Sequence, residues 1–467
     1  MTKIIVSVCE ATAEAAREGV ESAAGAEAIE LRADAFSRRG DALDLASFRA
    51  AKRAPLVFTR RGAGFDAEEA SRVLGAGFDF IDVEYDGSLS RSLLGPFRTR
   101  TILSHHDFAA VPDLEPLIRT MSDLDPAFVK IAVTPRRFED NIAILEALDR
   151  NRGNLALFGM SSAGLYSRIL APFFGSALAF VSASEQRPAA PSQFSLARAR
   201  LYWGDRAELQ RPEAIFAVVG NPIGHSLSPA IHNPRFRELG VDAAYSIAEV
   251  SSLEDVASGV ARALPFYPTG ISITAPFKED GFRFAVQHGA SISARAQACM
   301  AINTLVRRVD GTLVGDNTDV EGIAAAIRSF GRLPVSAAVI GGGGSARAAV
   351  VALLEAGAAV RLFVREPERV HPEGFGGTPV APLASLEEFD GDLVVNAVSS
   401  EVVLPYPQAL LREGLGVIDL AYTKPRLEQL ELLRRAGVDT VDGLAVLEGQ
   451  AAAQSKLFML AVPGVRA

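Results

Sequence analysis

The chain has little cysteine, a single tryptophan and no surplus of positive charge. Its two cysteines, Cys9 and Cys299, lie far apart among 467 residues. That excludes a disulfide framework and a cysteine-rich zinc site. Lys and Arg number 47 against 56 Asp and Glu, a net charge of −9. A mildly acidic chain lacks the basic excess that duplex nucleic acid or an anionic membrane demands, so neither is expected as a partner. Long apolar runs are also missing. The nearest, Ile169–Ser184, is broken by Pro172, Gly175 and several serines, which argues against a membrane span. The N-terminus runs straight into IIVSV after Lys3, without the layout of a signal peptide. The expectation is a soluble protein of a reducing cytoplasm. With 49% hydrophobic and 22% charged residues it is not a disordered chain. Its length allows two or three domains.

What is present is alternation. Strand-like runs fall at Ile4–Val8, Ala28–Ala33, Leu56–Thr59, Phe78–Val83, Thr101–Ser104, Ala127–Val133, Asn154–Met160 and Ala177–Val181, with amphipathic stretches such as Asp140–Asp149 between them. Eight βα units in one domain predict a (β/α)8 barrel over residues 1–205; an open doubly wound sheet is the alternative. The polar run Tyr202–Glu213 reads as a linker, set at 206–213. Beyond it the all-α/β pattern resumes. Residues 214–316 are expected to form an α/β substrate-binding domain, completed by a C-terminal helix at about 444–467, and 317–443 a Rossmann-like dinucleotide-binding domain.

The sharpest local signal is Gly341-Gly342-Gly343-Gly344-Ser345-Ala346, a G-x-G-x-x-A match between a strand-like VSAAVI and an apolar helix. Such glycines permit a tight turn and let backbone approach a pyrophosphate at the helix N-terminus. The next strand, Ala359–Val364, ends at Arg365, with Arg369 four residues on. Arginine there suits a 2′-phosphate, whereas an NAD site usually offers a carboxylate; neighbouring Glu366 pulls the other way. Ser226, Ser228, Thr274, Asn303 and Asn317 are hydroxyls and amides in apolar surroundings. They suit a polyhydroxylated acid, which needs many directed hydrogen bonds. Lys278 and Asp319 add a cation and a carboxylate for proton transfer.

In the first half Lys130 stands inside the apolar strand FVKIAV. Buried, such an amine can attack a ketone and form a Schiff base; a lysine snorkelling from a strand end is the alternative. His105 and His106 follow a strand, where barrel enzymes carry their chemistry, and a histidine there can serve as base and acid. Glu30 and Arg32 share one face of their strand. Arg61 and Arg168 also follow strands and suit a carboxylate and hydroxyls.

Together GNPIGHSLSP, GISITAPFK, AINTLV and GDNTD (Gly220 to Asp319) make the chain from Ile215 onward resemble the shikimate dehydrogenase family. The resemblance implies that Lys278 and Asp319 are the catalytic pair. It also implies a substrate site of Ser226, Ser228, Thr274, Asn303, Asp319, Tyr422 and Gln450. On the cofactor side it implies Gly341, Gly343, Gly344, Ser345, Ala346, Arg365, Arg369, Asn396 and Gly443. The cofactor so implied is NADP(H), with NAD(H) as the alternative, and no metal. The family's N-R-T cofactor motif reads Val364-Arg365-Glu366 here. The first half, through ELRAD, SHHDF, FVKIAV and the SR of GLYSR, resembles the type I, Schiff-base-forming 3-dehydroquinate dehydratases. That resemblance implies Lys130 as imine-forming residue and His106 as proton carrier. Glu30, Arg32, Arg61, Arg168 and Gln193 would hold the substrate. The chain departs from that family at Gly62–Asp66 and at Ala189–Gln193.

The expected protein converts 3-dehydroquinate to 3-dehydroshikimate in the barrel and reduces 3-dehydroshikimate to shikimate with NADPH in the second half. Its expected partners are these small molecules. The rival readings are a shikimate or quinate dehydrogenase with an inactive barrel, and a non-catalytic metabolite sensor. Oligomeric state is not legible in the sequence.

Overall fold

Each of the eight apolar runs of the first half becomes a strand: β1 (Lys3–Val8), β2 (Ala28–Arg32), β3 (Leu56–Thr59), β4 (Phe80–Glu84), β5 (Thr101–Asp107), β6 (Phe128–Val133), β7 (Leu155–Gly159) and β8 (Leu178–Ser182). β7 and β8 are buried along their whole length, as strands covered on both faces must be. In the computed structural model the eight run parallel in the order β7-β6-β5-β4-β3-β2-β1-β8. Ala177 N–H donates to Leu155 O at 2.7 Å and brings the two ends together in a near-closed barrel. The intervening helices begin where side-chain oxygens of Thr12, Asp44, Asp66 and Ser195 accept first-turn N–H groups. The structure describes every residue except 1, 24, 38–42, 53, 62–65, 86–93, 186–187, 191, 205–208, 400, 405 and 466–467. Gly62–Phe65, Pro191, Ser400 and part of the expected linker therefore lie outside the described residues.

The chain divides into two compact units: Met1–Ala217 with Pro222–Ser251 and Pro265–Tyr267, and the remainder. In the first unit the barrel is joined by the helix Ser228–Glu238 and β10 (Ala243–Glu249), while β9 (Ala214–Gly220) runs from one unit into the other. Ser246 Oγ donates to Tyr166 O at 3.1 Å, and Arg237 reaches Leu201 O and Tyr202 O at 2.9 and 3.2 Å. The reading of Tyr202 as the start of a linker is corrected. Tyr202 and Trp203 close the helix Leu196–Trp203 and are buried, their rings packed on Phe194. Aromatic burial outweighs the polar residues that follow.

The second unit holds two sheets. β13 (Thr304–Arg307) pairs antiparallel with β11 (Gly270–Ile273) and β14 (Leu313–Asp316), and β12 (Ser291–Ile292) runs parallel to β14. The other sheet is all parallel: β15 (Ser336–Ile340), β16 (Ala359–Val364), β17 (Val380–Pro382), β18 (Leu393–Asn396), β19 (Gly416–Asp419) and β20 (Asp439–Val441), in the order β17-β16-β15-β18-β19-β20. The order reverses between β15 and β18, which opens a crevice at their carboxyl ends. The last helix, Gly443–Met459, packs on the helix Asp319–Ser329 so closely that a Cβ at Gly322 would lie 2.6 Å from Val446 O. No described helix is long and apolar enough to cross a membrane.

Candidate active sites

Lys130 lies on the interior of the barrel, 4% exposed. Its Nζ donates to Asp82 Oδ2 at 2.9 Å, lies 3.6 Å from Glu30 Oε1 and stands 3.9 Å from the centre of the Phe180 ring. A lone buried ammonium would be costly; two carboxylates and an aromatic face compensate it. The Glu30 oxygens accept from Ser7 Oγ at 2.6 Å and Thr59 Oγ1 at 2.9 Å. Burial pushes the Glu30 carboxyl up, but Lys130, then Arg32 and the Ser7 hydroxyl, hold it below its ordinary value. Burial likewise opposes ionisation of Asp82, and Arg61 followed by Lys130 overcomes it and sets the carboxyl far below the usual range.

His106 stands at the carboxyl end of β5, within the ladder rather than after it, opposite Ala132 of β6. Its Nδ1 is 2.8 Å from Glu84 Oε2, and its Nε2 is 3.2 Å from Arg61 Nη2. Glu84 can only accept and Arg61 can only donate, so the network assigns the proton to Nδ1 and leaves Nε2 an acceptor, its lone pair turned toward Arg61. Burial lowers the imidazole pKa below 6.5, beyond what the Glu84 hydrogen bond restores. The ring is therefore a neutral base near pH 7. Arg61 also reaches Glu84 at 2.6 Å, Ser104 at 2.9 Å and Asp82 at 3.0 Å. Arg32 forms a forked pair with Asp34 at 2.8 and 3.0 Å, and Gln193 binds Ser7 Oγ at 3.2 Å. Arg168 is buried over the Phe158 ring, and its Nη1 has no hydrogen-bond partner. Desolvation lowers its pKa to about 10. A buried guanidinium in that condition is prepared for an anion.

In the second unit Lys278 Nζ donates to Asp319 Oδ2 at 2.5 Å and to Ser345 Oγ at 2.8 Å. Asn303 Nδ2 reaches Asp319 Oδ1 at 2.8 Å, Thr318 Oγ1 at 3.0 Å and Gln450 Oε1 at 3.1 Å. Thus Lys278, Asp319, Asn303, Gln450 and Ser345 form one network. Thr274, half-buried, follows β11, and Asn317 donates to Ala301 O at 3.0 Å. Tyr422, half-buried, follows β19. Ser226 and Ser228 belong to the first unit, where both are buried and their hydroxyls lie 3.2 Å apart.

The glycine run turns from β15 into the helix Gly344–Glu355. Gly341 has φ of +122°, and no side chain caps the helix. A Cβ at Gly343 would meet nothing within 4 Å, whereas one at Gly344 would press on Lys278 Cβ at 2.9 Å. Open space before uncapped N–H groups, with Ala346 buried behind them, fits a pyrophosphate. Arg365 is exposed and has no partner among the described residues, whereas Arg369 pairs with Glu366 at 2.7 Å. Asn396 is buried and directs its amide to Tyr406 at 3.1 Å and Asp419 at 3.4 Å. Gly443 starts the last helix, where a Cβ would meet Leu420 O at 2.4 Å. Among the described residues no cluster of His, Cys, Asp and Glu is arranged to hold a metal ion.

Sequence reasoning missed Asp82 and Glu84. Their signal was the alternation in FIDVE, which puts both carboxylates on one face of β4. It also missed Ser7, Thr318 and Gln454; the last bridges Ser272, Thr304 and the Asn303 carbonyl.

A family model for type I 3-dehydroquinase matches residues 4–204, and one for the shikimate dehydrogenase substrate binding domain matches residues 218–305. The chain is 28% identical over 480 residues to the chloroplastic bifunctional 3-dehydroquinate dehydratase/shikimate dehydrogenase of Arabidopsis thaliana, covering 93% of this chain and 78% of that one. It is 36% identical over 251 residues to the shikimate dehydrogenase (NADP(+)) of Hyphomonas neptunium, covering 51% of this chain and 88% of that one. A solved dehydroquinate dehydratase and shikimate dehydrogenase from S. pombe AroM is 23% identical, with a TM-score of 0.42 and coverage of 98% of this chain and 95% of that one.

Proposed function

The chain belongs to the bifunctional enzymes that join a type I 3-dehydroquinase to a shikimate dehydrogenase, and from that premise we propose how its residues divide the two reactions. The first half is the lyase and the second the NADP-dependent oxidoreductase of the shikimate pathway.

In the lyase, Lys130 attacks the ketone of 3-dehydroquinate, water leaves, and a protonated imine forms. The iminium withdraws electrons from the adjacent carbon and makes its C–H bond acidic. His106 takes that proton at Nε2, with Glu84 holding the opposite ring nitrogen and steadying the imidazolium. The same imidazolium then protonates the departing hydroxyl, which leaves as water. Hydrolysis of the imine frees 3-dehydroshikimate and restores Lys130. Arg168 receives the substrate carboxylate, while Glu30, Arg32, Arg61 and Gln193 take hydroxyls. One observation carries this reading: the buried Lys130 amine held against Asp82 and Glu30. Borohydride treatment in the presence of dehydroquinate tests it, with a reduced adduct mapped to Lys130 as the expected result.

In the oxidoreductase, NADP(H) would lie across the glycine turn, and when bound it supplies the hydride. Lys278 gives a proton to the alcohol oxygen, and Asp319 and Ser345 orient its ammonium. Asn303, Thr274, Gln450, Tyr422, Ser226 and Ser228 hold the substrate hydroxyls and carboxylate. NADP(H) is preferred over NAD(H). Arg365 is free for a 2′-phosphate, and Glu366, which would repel it, is engaged by Arg369. Arg369 is thereby spent on Glu366, so the phosphate grip rests on Arg365. The free thiols Cys9 and Cys299 accord with a reducing cytoplasm.

A further inference from the structure

The loop that presents Ser226 and Ser228 is fastened to the barrel. Residues Asn221–Leu227 follow β9 without forming regular structure, so their backbone N–H groups need partners. Ile223 N–H and Gly224 N–H both donate to Glu249 Oε2, at 2.9 and 3.2 Å. The other oxygen of the same carboxylate accepts from Ser162 Oγ. Ser162 sits in the loop between β7 and the helix Leu165–Leu170, at the carboxyl-end face of the barrel. The fastened turn continues directly into the serines. Ser226 N–H donates to Ile223 O at 2.9 Å, and Ser228 N–H donates to Ser226 Oγ at 3.2 Å. A Cβ at Gly224 would lie 3.5 Å from Ser162 Cβ and 3.6 Å from Leu165 Cδ1, so the two loops are in van der Waals contact. Ile223, Gly224, Ser226, Ser228, Glu249, Ser162 and Leu165 all belong to the first compact unit.

We propose that Glu249 is a positioning residue for the dehydrogenase, setting the Ser226–Ser228 turn through a carboxylate that a barrel residue, Ser162, holds in place. The proposal rests on the reading of Ser226 and Ser228 as substrate-binding groups. Neither Glu249 nor Ser162 meets the substrate. They fix where the two hydroxyls stand, so their loss affects shikimate binding selectively. Three hydrogen bonds converge on one carboxylate, and charge-assisted bonds of this kind are the stronger ones. The dehydrogenase thus depends on the dehydratase half for the shape of its own substrate loop.

The test uses the full chain and compares Glu249→Ala, Glu249→Gln, Ser162→Ala and Ser228→Ala. For each, the dehydrogenase KM for shikimate, the KM for NADP+, kcat and the dehydratase rate are measured. Glu249→Ala is expected to raise the shikimate KM about tenfold, with the NADP+ KM within about twofold. Glu249→Gln should restore most of the loss, because the amide oxygen can accept both backbone N–H groups and the amide nitrogen can donate to Ser162 Oγ. Ser162→Ala should raise the shikimate KM about threefold by releasing one carboxylate oxygen. It also keeps the proposal testable if Glu249→Ala fails to fold. Dehydratase kinetics should stay unchanged in all four. An unchanged shikimate KM in Ser162→Ala and Glu249→Ala, alongside a raised one in Ser228→Ala, overturns the positioning role and leaves the serines as ligands. An unchanged shikimate KM in Ser228→Ala overturns the substrate role of the turn and the proposal with it. A parallel rise of both KM values in Glu249→Ala, unrescued by Gln, also overturns it.

Discussion

Arg168→Met should make the protein more stable and the dehydratase far worse. In the free protein the guanidinium is buried with Nη1 unpaired. Burial alone pushes its pKa down to about 10, well below the ordinary arginine value. That difference corresponds to about 3 kcal/mol against the charged form. The folded value lies below the unfolded one, so the cost is fully present at neutral pH and is relieved only as pH rises through about 10. Methionine keeps the apolar stem and removes the cation. The lost contact with the Phe158 ring, 4.9 Å away, returns about 1 kcal/mol. The net expectation is a gain of about 2 kcal/mol. The chain's single tryptophan is a natural probe, since Trp203 is buried and its indole donates to Ile169 O at 2.9 Å, beside Arg168. A urea titration followed by its fluorescence should show a higher midpoint in the variant. The same variant should lose about 100-fold in dehydratase kcat/KM, the worth of a desolvated arginine–carboxylate pair. A less stable variant with an unaltered KM for dehydroquinate would refute the reasoning and make Arg168 an ordinary core cation.

The acid limb of the dehydratase kcat/KM should be centred below the ordinary imidazole value of 6.5, because burial lowers the His106 pKa and the base is active when neutral; an acid limb centred above 6.5 contradicts the assignment. Lys278→Met and Asp319→Asn should each cut dehydrogenase turnover by roughly 10²–10⁴-fold and spare the dehydratase, as separate assays of the two half-reactions will show. Arg365→Ala should raise the KM for NADPH at least about tenfold more than that for NADH. Equal losses for both cofactors, or a wild type that favours NADH, would make Arg365 a surface arginine.

The barrel strands were legible because parallel strands buried on both faces are written as short apolar runs, and all eight fall within three residues of their expected limits. The glycine turn and Lys278, Asp319 and Asn303 stood out as polar groups in apolar context. What stayed hidden depends on distant pairing. Asp82 and Glu84 look like a solvated strand end until β4, β5 and β6 lie side by side and set them against Lys130, Arg61 and His106. Lys130 looked like a solitary amine for the same reason. Arg369 promised a phosphate contact by its spacing, and the sequence did not show that it also pairs at the surface with Glu366, three residues earlier. Glu249 gave no signal at all, because its meaning comes from a serine 87 residues away.

The most direct test is to supply the purified chain with 3-dehydroquinate and NADPH, and nothing else, and to follow cofactor oxidation and product together. The account predicts one NADPH oxidised for each dehydroquinate consumed, with shikimate as the product. It also predicts that Lys130→Met abolishes this flux but still oxidises NADPH when given 3-dehydroshikimate. A wild type that reduces dehydroshikimate but leaves dehydroquinate untouched would contradict the two-activity account and mark the barrel as inactive.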